Sequence, residues 1–249
     1  MTKVFVHGNP EVPELWGPLL GALGDRGVHD CVTVAPPGFR APVPDGFDAT
    51  PAGYVDWLAD EVAGIGTPVD LVGHDWGAGH VFGLAGTRPD LVRSWAADCA
   101  GLLHPSYEWH DAAKVWRTPG EGEEAIASLT GLPTDDLAAA YAALGMPEDI
   151  ARAMAEAAGD EMAACILTLY RAADRDVLDA VAARLAASDR PGLLLSAEAD
   201  PYVAAALAED VAAHVGATVA PLPERGHWWM VEDPGPGADS LAAFWASLD

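Results

Sequence analysis

The sequence predicts an α/β protein: a mostly parallel sheet with a helical segment inserted between two of its portions. Short apolar runs alternate with helical patterns through the first hundred residues, lapse between about residues 103 and 188, and then resume to the C-terminus. At 249 residues, 51% of them hydrophobic, the chain can bury one large core but two full domains would be a tight fit.

Taken in order, the first apolar strand covers 4–6 and ends in HGNP. PELWGPLLGAL (13–23) has helical spacing, and DCVTVAPPG (30–38) reads as a second strand stopped by two prolines. The helical pattern YVDWLADEVAGI (54–65) precedes a third strand, VDLVGHD (69–75), which runs straight into Asp75. After a helix starting near Ala78, LVRSWAAD (91–98) is the fourth. The Ala-rich stretch 103–188 is helical in period, with TPGEGEE, GLPTDD and GMPED as helix starts and no apolar strand. GLLLSAEADP (192–201) and ATVAPLPERGHWW (217–229) return to strand pattern, and a helix over GADSLAAFWASL closes the chain. The implied organisation is a core of 1–102 and 189–249 with a helical cap of 103–188, without internal repeats or a flexible linker.

Thirteen basic against thirty-eight acidic residues give a formal charge of −25, which repels nucleic acid and anionic lipid. The acidic residues are scattered, as on a solvated surface. Cys31, Cys99 and Cys165 are odd in number and far apart, which gives no disulfide framework and no CxxC pair. The N-terminus shows no apolar leader pattern, and no window of eighteen residues is wholly apolar, so the expected location is the cytoplasm, away from membranes. The histidines do not fall at metal-site spacing such as HExxH, and no metal or other cofactor is expected.

In an open parallel sheet, ligands bind at the carboxyl ends of the strands. Three polar residues end there: Asp75, Asp200 and His227, in the chain order of a nucleophile, acid and histidine. The turn GHDWGAG around Asp75 has glycine at 73, 77 and 79, where a tight strand-turn-helix needs a missing Cβ. Asp75 could instead be a plain N-cap of the following helix. Asp98 also ends a strand and is an alternative to Asp200 as the acid.

HGNP, PPGFR, GHDWGAG, ADP and RGHWW, in that order over nearly the whole chain, resemble the α/β-hydrolase branch that contains haloalkane dehalogenases and epoxide hydrolases. The resemblance implies an α/β-hydrolase fold, here lacking the N-terminal hairpin and so about two strands short. It implies Asp75 as nucleophile, His227 as base and Asp200 as the residue orienting the base. A carboxylate is a poor attacker of acyl carbon, because the anhydride reverts, but it can displace halide or open an epoxide at saturated carbon and leave an alkyl ester. Water activated by His227 would then cleave that ester, with the backbone N–H groups of Asn9 and Trp76 meeting the oxyanion.

By the same resemblance, the side chains of Asn9 and Trp76 match the amide and indole donors that hold a departing halide in dehalogenases. Epoxide hydrolases use cap tyrosines instead, and Tyr170, Tyr107 and Tyr141 all fall in the expected cap, Tyr170 foremost. Trp109, Trp116, Trp228 and Trp229 are expected to wall an apolar pocket, whereas Trp16, Trp57, Trp95 and Trp245 fall at core positions. His74 is expected to pack or hydrogen-bond beside the nucleophile, His7 to shape the oxyanion turn and His80 to face the elbow helix. The expected partners are a small apolar substrate and water. Two rivals stand beside dehalogenation and epoxide opening: a catalytically silent binder of a hydrophobic ligand, and an enzyme whose cap is reshaped for one bulky biosynthetic intermediate.

Overall fold

The computed structural model describes residues 1–66 and 68–248. Six strands form one sheet: β1 (Lys3–Val6), β2 (Cys31–Val34), β3 (Val69–Gly73), β4 (Val92–Ala97), β5 (Gly192–Ala197) and β6 (Thr218–Leu222). Their order is β2-β1-β3-β4-β5-β6, and every neighbouring pair is parallel. The order reverses at β1, so the crevice where strand order switches opens beside the ends of β1 and β3. β1 ends at Val6 as its pattern predicts, whereas β2 to β6 stop short of theirs, because residues such as Asp75, Asp98 and Asp200 have already turned out of the ladder.

Helices cover both faces: α1 (Gly17–Gly24), α2 (Pro51–Ile65), α3 (Trp76–Thr87), then six between β4 and β5, namely α4 (Asp111–Arg117), α5 (Glu121–Thr130), α6 (Thr134–Ala143), α7 (Glu148–Ala157), α8 (Asp160–Ala172) and α9 (Arg175–Ala186). The chain ends with α10 (Ala208–Val215), α11 (Trp229–Glu232) and α12 (Pro234–Ala246). Strand residues alternate between the faces as the two-residue period requires. Val4, Val6 and Leu71 pack with Phe82 of α3 and Leu185 of α9, whereas Phe5, Val72 and Leu195 pack with Leu19 of α1 and Leu241 of α12. At about 1.5–3 kcal/mol for each large apolar side chain removed from water, these two layers supply most of the driving force for folding.

The inserted helices divide among three clusters. Ile126 of α5 and Met162 and Leu169 of α8 pack over the carboxyl edge with Phe39, Tyr54 and Trp76. Leu137 and Tyr141 of α6 and Ile150 and Met154 of α7 join the face that holds Trp16. Ala182 and Leu185 of α9 join the opposite face, so the end of the 103–188 segment is part of the sheet's own cover. No helix among the described residues is long and apolar enough to cross a membrane.

Gly77, in the first turn of α3, lies so close to β1 that a Cβ would stand 2.1 Å from the Val6 carbonyl oxygen. Gly77→Ala must push α3 away from the sheet. The expected result is a loss of about 3 kcal/mol, at the upper end for overpacking, and a clear fall in the midpoint of thermal or urea unfolding. An unchanged midpoint would contradict this close approach.

Candidate active site

The turn from β3 into α3 holds Asp75 at φ 52° and ψ −122°, a left-handed backbone that a non-glycine residue adopts only when its surroundings impose it. The surroundings are specific. Asp75 N donates to Asp98 Oδ1 (3.1 Å), and the Asp75 carbonyl accepts from Ala78 N (3.0 Å), which starts α3. The carboxylate makes no cap bond to the helix, so the N-cap alternative does not describe it. Instead Oδ1 accepts from Asn9 N at 3.0 Å. Gly8 makes room for this group, since a Cβ there would lie 2.1 Å from Asp75 Oδ1.

His227 follows β6, and its Nδ1–H donates to Asp200 Oδ2 at 2.8 Å, which leaves Nε2 facing Asp75 Oδ2 at 3.8 Å. Asp200 is held by its own turn, because Oδ1 accepts from Tyr202 N (2.7 Å) and Val203 N (3.1 Å). Burial opposes ionisation of Asp200, but the His227 hydrogen bond and charge and those two amides keep it below the usual carboxylate range. Burial likewise opposes protonation of His227, yet the Asp200 hydrogen bond carries its basicity above ordinary histidine, against repulsion from His74. Asp75 is pushed up to about 6, chiefly by burial and then by Glu11, with His227, His74 and the Asn9 amide pulling the other way.

Asp98, the alternative acid, does not reach His227: its carboxylate is spent on His74 Nδ1 (2.5 Å), Trp229 Nε1 (2.7 Å) and Asp75 N. The other nitrogen of His74 meets Glu11 Oε1 at 3.0 Å. Lying between two carboxylates, His74 is held well above ordinary histidine despite the opposing effect of burial, so both of its nitrogens carry protons. Glu11 is held down to about 2: burial opposes ionisation, but the charges and hydrogen bond of His74 and the nearby His227 outweigh it. The pattern of apolar runs gave no sign of Glu11, because a glutamate directly after HGNP reads as a solvated turn residue. His7 Nδ1 lies 2.8 Å from the Gly8 carbonyl, and His80 stacks on Tyr54 (4.6 Å).

Asp75 lies in a nearly closed cleft of about 20 Å³, room for a water molecule and little more. Trp76 and Trp109 stack in it (6.1 Å between centroids, 24° between planes), and Tyr107, Tyr170 and Tyr202 complete an aromatic wall. Cys99, Leu102, His110 and Val203 also line it. Tyr170 is 2% exposed with its ring edge on Trp76 (5.3 Å), and burial holds its hydroxyl far above ordinary phenol, so it stays protonated as a donor.

Five expected wall or donor residues are placed elsewhere. Trp229 is fully buried in the face that holds Trp16, drawn there by its bond to Asp98. Trp228 sits beside His227 (5.5 Å), but its indole N–H donates away from the cleft to Glu11 Oε1 at 2.8 Å. Trp116 packs behind Tyr170 (5.0 Å), and Tyr141 is buried with α6. The Asn9 side-chain amide is buried without a hydrogen-bond partner among the described residues, and Asn9 does not line the cleft.

Three overlapping sets of metal-ligating atoms occur among the described residues: Glu11, His74 and His227; His74, Asp98 and Cys99; and Cys99, Asp200 and His227. They fit a cation poorly. Both nitrogens of His74 are protonated, and burial beside Asp98 and Asp200 keeps the Cys99 thiol far from ionising.

A model of the alpha/beta hydrolase family matches residues 4–239. A haloalkane dehalogenase of Bradyrhizobium diazoefficiens is 32% identical over 146 residues, a match that spans 49% of this chain and 44% of that protein. Among solved structures, the haloalkane dehalogenase DbeA of Bradyrhizobium elkani USDA94 superposes with a TM-score of 0.76 at 25% identity, over 99% of this chain and 90% of that one. E-2-(acetamidomethylene)succinate hydrolase superposes with a TM-score of 0.73 at 20% identity, over 98% and 91% of the two chains, a likeness of fold alone.

Proposed function

Because the chain belongs to the alpha/beta hydrolase family, we propose that it is a hydrolase of haloalkane dehalogenase type that works through an alkyl ester on Asp75. One observation carries this reading: Asp75 is held at a strained elbow with an amide donor on one oxygen and the His227–Asp200 pair facing the other. Asp75 Oδ2 attacks a saturated carbon, the carbon–halogen bond breaks and halide leaves with the electron pair. Water then enters beside His227, whose Nε2 takes its proton as the oxygen attacks the ester carbonyl carbon. The Asn9 N–H already bonds Asp75 Oδ1, the oxygen that becomes the oxyanion, and the Trp76 N–H at the start of α3 is the second donor. Collapse of the tetrahedral intermediate breaks the bond to the alkoxide oxygen, which takes the proton held by His227 and leaves as the alcohol, and the new carboxyl group loses its proton to solvent to restore the carboxylate.

The aromatic cleft supports a small apolar substrate, and the dehalogenase relatives support halide as the leaving group. A second reading, epoxide opening to a diol, is favoured by the hydroxyls of Tyr170 and Tyr107 in the cleft. Halide release from a panel of short bromoalkanes and diol formation from a panel of apolar epoxides separate the two. Tyr170→Phe divides them further: about 10²-fold slower epoxide opening is expected if its hydroxyl donates to the ring oxygen, and less than about tenfold change in halide release.

Both steps gain as pH rises. Ester formation needs ionised Asp75, so kcat/KM is expected to fall as the pH drops through about 6. Ester breakdown needs neutral His227, so kcat has an acid limb too. Esterification removes the Asp75 charge that helps hold a proton on His227, so this limb lies at lower pH than the titration of His227 in the free protein. Activity that grew on acidification would contradict both roles.

A further inference from the structure

Under the cleft lies a buried array that the two chemical steps do not use: Glu11, His74 and Asp98, exposed by 1%, 0% and 3%. Its arrangement follows the catalytic groups closely. Glu11 Oε2 accepts from Gly8 N (3.0 Å), and Oε1 accepts from His74 Nε2 (3.0 Å) and Trp228 Nε1 (2.8 Å). Each partner is one residue away from a working group: Gly8 precedes the oxyanion amide of Asn9, His74 precedes Asp75, and Trp228 follows His227. Three loops that come from the ends of β1, β3 and β6 thus converge on one carboxylate. From it we infer that Glu11 is a positioning residue, which ties the oxyanion amide, the nucleophile and the base into one unit; this rests on the roles assigned above to Asp75 and His227.

A buried carboxylate is costly unless its oxygens are fully bonded, and here the three bonds are directional in a way that an apolar side chain filling the same space would not be. The array also has a charge. Glu11 is ionised, with its Oε1 4.0 Å from His227 Nε2. The other charged or titratable groups that face His227 are Asp75, Asp200, His74, the Cys99 thiol, the Tyr202 hydroxyl and, from the cap, His110. Those that face Glu11 are His74, His227, His7, Asp75 and the Tyr141 hydroxyl.

Glu11→Gln keeps the volume and removes the charge. In the ligand-free protein, NMR of the histidine side chains should show His227 titrating at lower pH in the variant, since the attraction of Glu11 is lost and the repulsion of His74 is not. With 1-bromobutane as probe, ester formation and breakdown should both slow by about tenfold or more. Trp228→Phe cuts only the tie to the base loop, and should slow ester breakdown while leaving formation within about twofold of wild type. A wild-type His227 titration in Glu11→Gln would overturn the inference, as would equal slowing of both steps, or of neither, in Trp228→Phe. Should Glu11→Gln fail to fold, Trp228→Phe decides alone. If neither haloalkanes nor epoxides ever form an adduct, the nucleophile reading fails, and the His227 titration, which uses no substrate, still decides on Glu11.

Discussion

Asp75→Asn is expected to lower turnover by on the order of 10⁴-fold or more. An amide oxygen carries no full negative charge, so it cannot displace a leaving group from saturated carbon at a useful rate, and nothing else in the cleft replaces it. Asp200 accepts four hydrogen bonds, from His227, Tyr202, Val203 and the Cys99 thiol. Asp98 is closed off by His74 and Trp229. The fold should tolerate the change, because the strain at this position is in the backbone and the side chain gives no bond to the helix it precedes. Steady-state rates and the melting temperature check both halves of the prediction. Lost activity with the wild-type melting temperature is the expected pair; retained activity would mean that another group attacks.

His227→Gln is expected to separate the two steps. Ester formation does not use the imidazole as a proton acceptor and should continue, whereas breakdown loses its base and slows by about 10²–10⁴-fold. Mixing the variant with an excess of substrate should therefore release one equivalent of halide per protein molecule and then stop. Loss of His227 also removes the cation that helps keep Asp75 ionised, so the burst in the variant should need a higher pH than ester formation in the wild type. Rapid-quench halide measurement at several pH values checks both. Sustained turnover without His227 would remove it from the base role.

The sheet was legible because its evidence is local. Strands such as GLLLSA are buried on both faces and read as near-continuous apolar runs, and the interval between β4 and β5 contains helical period alone. That Asp75, Asp200 and His227 lie together was legible because each comes after such a strand and because the glycines of GHDWGAG fit a tight turn. The choice between Asp200 and Asp98 was not. Both end a strand, and what decides between them is which carboxylate His74 occupies, a contact between residues 24 apart in sequence. Glu11 was missed for a similar reason: its three partners lie at positions 8, 74 and 228, and no pattern along the chain announces them. Trp229 illustrates the limit of composition. Two adjacent tryptophans after His227 look like pocket wall, but successive side chains diverge, and each indole N–H here turns to a different buried carboxylate.

The account depends on a covalent bond between Asp75 and substrate carbon, and peptide mapping by mass spectrometry tests it most directly. His227→Gln is incubated with short bromoalkanes and apolar epoxides, digested and sequenced by fragmentation. The account predicts a mass gain of one alkyl group less a hydrogen, or of one whole epoxide, confined to the peptide that contains Asp75 and absent from the double variant with Asp75→Asn. An unmodified Asp75 peptide across both panels, or a modification placed on any other residue, would contradict it.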